Sequence, residues 1–416
     1  MNNYQKYIKY KHKYLNLKKQ NSKYDAFGTF YVGQGGQEEQ VILEPKFSSI
    51  TLSHKEQVIL EPKFSSITDA NNNFTIVLFE NLDGASNIIS PLSITFAISL
   101  LHLASIGNTN KQLTNLLGYK YSANELEYIY GLLNNSIIKM TNALIINKNN
   151  KINKEYVDMV SHMVYFINED VNDSDLVIHK LNRYIEKNTD GMIKDVISDK
   201  DITLLTNLSI VNTIYFKASW QHKFNTNDTT RMKFHHTETN MVNMMHQINY
   251  FNYYENKTIQ MVELPYDEND YAMGIILPRL YLEQTSLDYL INNVPRFTTG
   301  EINEFINNMQ LKRINLYLPK FVHRKNIDLV TILKKMGVTN IFSMAYAKLD
   351  AISPNIFVSK ILHDTVVIVD EMGTEAINKT IEKEDSILFK ANHAFIYYIR
   401  HVPTNLFLFY ADYQGN

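Results

Sequence analysis

The sequence predicts an α+β protein built on a large mixed β-sheet, and three stretches predict it. Between Phe74 and Gly118 the apolar residues recur at helical spacing. From Leu208 onward, β-branched and aromatic runs of strand length take over, and Phe395 to Tyr410 is aromatic or aliphatic almost throughout. Helices gathered in one half and strands in the other indicate α+β rather than alternating βαβ units.

The elements follow in order. Residues 1–73 are expected to be a basic, disordered extension and residues 74–416 the main domain. Tyr4, Tyr7, Tyr10, Tyr14 and Leu17 fall on one face of a helical register among lysines, a pattern for a solvated terminal helix or one touching an acidic surface. Glu39 to Thr51 reads EQVILEPKFSSIT and Glu56 to Thr68 repeats it letter for letter, which suggests duplication within a tolerant, exposed linker. A helix is expected from Phe74. A second starts at the Ser90-Pro91 signal and runs to about Ser105, and a third opens at Gly107 and stops at Gly118. Strands are expected at Leu208 to Phe216, Ala272 to Leu277, Ile314 to Leu318 and Thr365 to Val369, with two more joined at Pro403-Thr404-Asn405.

Composition narrows the function. At 416 residues with 45% hydrophobic side chains the chain can bury a sizeable core, and a net charge of −2 gives no reason to expect nucleic acid. The absence of cysteine removes disulfides, thiolate nucleophiles and Cys-type zinc sites. No run reaches the roughly 20 apolar residues of a membrane span, and no apolar core follows the N-terminal lysines, so no signal peptide is visible. Gly-x-Ser-x-Gly, His-Glu-x-x-His and phosphate-cradling glycine loops are absent, so no enzyme, catalytic residue or cofactor is expected. His235, His236 and His246 lack helical metal-ligand spacing and read as surface strand histidines, with no metal expected.

Val369-Asp370-Glu371-Met372-Gly373-Thr374-Glu375-Ala376 follows an apolar strand, and Phe389 to Phe395 and Ile399 to Thr404 complete a C-terminal signature. With Asn87 to Ile94, Leu204 to Trp220, Phe234-His235, Glu263-Leu264-Pro265-Tyr266 and Leu318-Pro319-Lys320-Phe321 in the same order, residues 74–416 resemble the serpins. The resemblance implies the serpin fold and trapping of a target protease, a serine protease first, by a monomer through an exposed loop. It places a hinge at Glu371, Gly373, Thr374, Glu375 and Ala376, a shutter at Ser90, Ser93, Asn212 and His363, and a breach at Trp220 and Lys320, with Lys320 paired to Glu371. Taken singly, Ser90 could cap a helix and His363 could be a satisfied core histidine. Tyr184 and Met192 depart from the family's usual tryptophan and lysine. The short interval from Gly118 to Asn142 is expected to lack the helix that carries heparin-type sites, so no glycosaminoglycan cofactor is expected. The Lys/Tyr-rich opening is similar to those of giant DNA virus proteins, which implies a viral member, intracellular or virion-associated rather than secreted.

In this register the loop runs from about Thr374 to Leu388. Only 15 residues separate Gly373 from Phe389, fewer than the family's inhibitors have, so the usual cleavage position falls at Ile387 and Leu388. Lys383 and Asp385 are earlier candidates, suited to trypsin-like and aspartate-cutting enzymes. In an inserted strand alternate residues face opposite sides. Thr374, Ala376 and Thr380 would then fit inward, whereas Glu382 and Glu384 would be pressed against the core, where an unpaired carboxylate is costly. The hinge is expected to begin insertion and stall. Two functions follow from this: a serpin-type protease inhibitor, and a non-inhibitory serpin-fold binding or structural protein.

Overall fold

A computed structural model describes residues 30–32, 39–41, 63–235, 240–267, 270–279, 296–372 and 385–415. The chain divides into two compact units, Met1–Val58 and Ile59–Asn416. In the first, β1 (Phe30–Val32) and β2 (Glu39–Val41) pair antiparallel with Tyr31 opposite Gln40. The Tyr4 to Leu17 stretch lies outside the described residues.

The second unit opens with α1 (Ile67–Glu80), whose N-cap Ser66 accepts a hydrogen bond from Asp69 N at 3.1 Å. This start precedes Phe74 because the first turns are held by polar side chains that carry no apolar periodicity. Buried Asn71 donates to Phe407 O (3.0 Å), and buried Asn72 donates to Asn405 O (2.7 Å) and accepts from Phe407 N (3.0 Å). The second repeat copy therefore does not lie wholly in an exposed linker. Its Ser66 caps α1, its Ile67 is buried, and its Phe64 N–H donates to Gly118 O at 3.0 Å. The Phe64 ring sits where a Cβ on Gly118 would approach it to 2.8 Å, and Gly118 has φ +64°, so both space and backbone require glycine.

Next come β3 (Ile88–Ile89), α2 (Pro91–Ala104) with proline in its first turn, and α3 (Gly107–Leu117), which Gly118 terminates in the left-handed conformation. Then α4 (Ala123–Leu132) lies in the interval expected to lack the helix that carries heparin-type sites. A capping box of Ser122 and Glu125 starts it, and the only charged residues on it are Glu125 and Glu127.

The five-stranded sheet contains β4 (Ile138–Asn147), β5 (Tyr165–Glu169), β6 (Leu208–Phe216), β12 (Phe321–Asp328) and β13 (Val358–Val369) in the order β12-β13-β6-β4-β5. Within it, β13 and β6 run parallel and side by side, with His363 opposite Asn212. The nine-stranded sheet contains β3, β7 (Thr230–Phe234), β8 (Asn240–Glu255), β9 (Ile259–Pro265), β10 (Tyr271–Pro278), β11 (Gln310–Pro319), β14 (Ile387–Lys390), β15 (Phe395–His401) and β16 (Leu406–Tyr413). It is antiparallel except where β14 joins β11. The helices α5 (Lys154–Val160), α6 (Ser174–Asn188), α7 (Thr299–Asn307) and α8 (Val330–Lys335) complete the described set.

One apolar core joins α1 and α2 to both sheets. A smaller one lies on the other side of the five-stranded sheet, between it and α6, and contains Val211, Leu181, Ile185, Leu362 and Val366. Tyr184 stacks on Tyr165 there, with centroids 4.2 Å apart.

Candidate functional site: the β6 and β13 seam and the segment above it

Alternation along β13 points His363 and Thr365 to the α2 side of the sheet and Asp364 to the α6 side. On the α2 side the seam carries a buried polar cluster. Asn212 Oδ1 accepts from Ser93 Oγ (2.8 Å) and His363 Nδ1 (2.6 Å), and Asn212 Nδ2 donates to Asn142 Oδ1 (2.7 Å). Ser90 takes part through its backbone, its N–H donating to His363 Nε2 at 3.1 Å, and it stands at the α2 N-cap position without a side-chain cap bond. Thr365 Oγ1 also meets Nε2. With the Ser90 N–H aimed at Nε2 and the Asn212 Oδ1 acceptor at Nδ1, the imidazole must carry its proton on Nδ1 and stay neutral. Burial drives its pKa down to about 3. The four residues expected as a shutter are thus neighbours. Sequence reading missed Asn142 and Thr365; a lone asparagine in the apolar run Ile138 to Ile146 was the available signal.

At the upper end, Trp220 stacks on Tyr266 with centroids 4.5 Å apart, and its Nε1 donates to Asp370 O at 2.8 Å. Glu371 Oε2 accepts from Lys320 Nζ (2.6 Å) and Oε1 from Thr229 Oγ1 (2.8 Å). Its side chain is 9% exposed against 45% for Lys320. Burial pushes the Glu371 carboxyl up, but the bonds from Lys320, its own backbone and Thr229 outweigh it and leave the pKa below the usual range. The hinge residues Gly373, Thr374, Glu375 and Ala376 and the candidate Lys383 lie outside the described residues.

At the far end of the segment, Ile387 and Leu388 are not in the loop, where they were expected. They open β14, paired to Ile314 and Asn315 of β11, and Gln260 Nε2 donates to Leu388 O at 3.1 Å. Ile387 packs on the core and holds that edge in register. Asp385 is exposed just ahead of the strand. His235 bridges to His393, His246 stacks on Tyr317, and among the described residues no three His, Asp or Glu side chains are grouped to hold a metal.

Residues 69–414 match the Serpin (serine protease inhibitor) family model. The chain is a serpin. It is 44% identical to an uncharacterized serpin-like protein of Acanthamoeba polyphaga mimivirus, over 99% of each chain. It is 30% identical to the leukocyte elastase inhibitor of Equus caballus, over 83% of this chain and 98% of that one. Among solved structures it is similar to native protease nexin-1 with heparin (TM-score 0.74, 26% identity, 84% of this chain and 99% of that one). Uncleaved ovalbumin shares the fold (TM-score 0.76, 23% identity, 84% and 99%). Members of this family are protease inhibitors rather than enzymes, and no helix among the described residues of this serpin is long and apolar enough to cross a membrane.

Proposed function

We propose that this serpin inhibits serine endopeptidases by offering residues 374–386 as bait and admitting the cleaved segment between β6 and β13. The observation that carries the reading is the seam itself. Two parallel strands leave the site for one antiparallel strand between them, and the polar side chains along it can re-pair with an incoming backbone instead of being stranded. The segment that would enter follows β13 in the chain, after Glu371 and its bond from Lys320.

We place the scissile bond after Lys383, with Asp385 as second candidate. Ile387 and Leu388 are ladder residues and cannot lie extended in a protease cleft without stripping β14 from β11. β6 is nine residues long, and an inserted strand from Thr374 would match it by about Glu382, since both rise by about 3.3 Å per residue. Glu382 would then reach the open end of the sheet, and Glu384 would stay with the C-terminal piece that β14, β15 and β16 hold in the nine-stranded sheet. This favours insertion over the stall expected from those two charges.

The test is incubation with trypsin-like, caspase-like, chymotrypsin-like and elastase-like proteases. A trypsin-like enzyme should give an SDS-stable adduct, from which denaturation frees a C-terminal peptide starting at Glu384. Cleavage without adduct and without a rise in melting temperature would establish the non-inhibitory binding or structural reading, the outcome that follows if Glu382 and Glu384 do stall insertion.

A further inference from the structure

We propose that Arg324 and Asn326 of β12 latch the chain that follows α6 across the β6 and β13 seam, and that this latch limits how readily the seam opens. The inference rests on the reading above only in that the seam is where a strand would enter.

The chain between α6 and β6, residues 189–207, forms a strap. It leaves α6, which lies on β4 and β5, reaches β12, and returns to begin β6, so it passes over the seam outward and back. On the α6 side it is tied by Asn182, whose Oδ1 accepts from Val196 N (3.0 Å) and Ile197 N (3.2 Å) and whose Nδ2 donates to Ile197 O (2.9 Å). On the β12 side, Arg324 Nη2 donates to Lys194 O (3.0 Å) and Asn326 Nδ2 to Val196 O (3.2 Å). Between these ties, Val196 and Ile197 are buried in the apolar cluster that also holds Val211 and Tyr215 of β6 and Leu362 and Val366 of β13.

Asp364 organises the β12 end. Its side chain is 0% exposed. Its carboxylate accepts from Arg324 Nε (3.1 Å) and Nη2 (2.9 Å) and from Asn326 Nδ2 (3.1 Å), the residue opposite it in the ladder. A buried carboxylate with these partners fixes both donors in place, so each holds the strap and Asp364 at once. Asp364 follows His363 in the chain. The seam is therefore pinned at neighbouring rungs from opposite faces, by the His363 and Asn212 cluster beneath and by the strap above.

A strand entering the seam would move β12 and β13 about 4.8 Å from β6. Pairs within the β12 and β13 half would survive that step. The strap, tied to both halves, would have to release one set of bonds. Opening is thus coupled to breaking two hydrogen bonds, one exposed from Arg324 and one partly buried from Asn326.

The experiment is hydrogen–deuterium exchange on the full chain carrying Asn326→Ala and, separately, Arg324→Lys. Lysine keeps a cation on Asp364 but lacks the fork that reaches Lys194 O, so it guards against misfolding. Loss of one or two such bonds should speed exchange about tenfold in strap residues 193–202 and seam residues 210–215, with β15 and β16 unchanged. No change, faster exchange in the strap alone, or a rise spread equally into β15 and β16 would each overturn the latch. No protease is involved, so a missing adduct would sink the proposed function and leave this result standing.

Discussion

The β15 and β16 pair and the β6 and β13 pair are both buried ladders, yet they place their polar groups differently. In β15 and β16 the charged ones sit toward strand ends. Arg400 pairs with Glu263 at 2.7 Å, and Asp412 accepts from Ser86 N and Asn87 N at 3.0 and 2.8 Å. The middle is apolar and aromatic, with Tyr398 opposite Tyr410 and Ile399 opposite Phe409, and Phe407 packs obliquely on Tyr398 at 5.2 Å. In β6 and β13 the middle is polar, with Asn212 and His363 facing each other and Thr213 and Asp364 on the next rung. Antiparallel pairing with an apolar centre gives a ladder with no alternative partner. Parallel pairing, slightly weaker per residue, with a hydrogen-bonding centre gives one that another strand could replace.

The largest test of that contrast is a large-to-small change in the aromatic ladder. Phe407→Ala should lower stability by about 3–5 kcal/mol, read as a drop in the urea midpoint, because removing this fully buried ring leaves a cavity that its packed neighbours close only in part. A loss well below this would mean that β15 and β16 relax as easily as the seam and would remove the distinction.

How much of this was legible in the sequence follows the same division. Apolar ladders announce themselves, so Leu208 to Phe216 was placed to the residue and Phe395 to Tyr410 was recognised as two strands meeting near Pro403. Polar packing does not. The start of α1 was missed because Asn71 and Asn72 are buried through hydrogen bonds to β16, and buried asparagine looks like a loop residue in a sequence. Asn142 was missed for the same reason. Ile387 and Leu388 were read as loop by counting from the hinge, when pairing to β11 decides where the strand begins. The strap was invisible because its ties are side chain to backbone, between segments 130 residues apart.

Acid is a medium-sized probe of the seam. The unfolded chain takes up a proton on His363 near 6.5, but the folded chain does so only near 3. Stability held by the neutral ring is therefore full above pH 6.5 and drains as pH falls between those values. By pH 4.5 this amounts to about 2–3 kcal/mol. His363→Gln should flatten the fall in urea midpoint between pH 7.5 and 4.5. An unchanged slope would assign the acid sensitivity to other buried histidines, of which His102, lowered to about 4 by burial and by Lys120, is the first to examine.

The smallest effect sharpens the comparison at the top of the seam. Lys320→Ala leaves the buried Glu371 carboxylate with its bond from Thr229. Half of the lysine is in solvent, so the lost attraction is screened, and the expected destabilisation is about 1 kcal/mol. The control is Lys335→Ala, whose partner Asp83 lies 3.2 Å away with both ends exposed and whose loss should be near zero. If the two substitutions lower the urea midpoint equally, Glu371 gains nothing from its burial and the anchor above the seam is an ordinary surface pair. If Lys320→Ala alone does so, and exchange at residues 214–216 and 365–369 rises while the lower rungs keep their rates, the seam opens from the end where the loop enters.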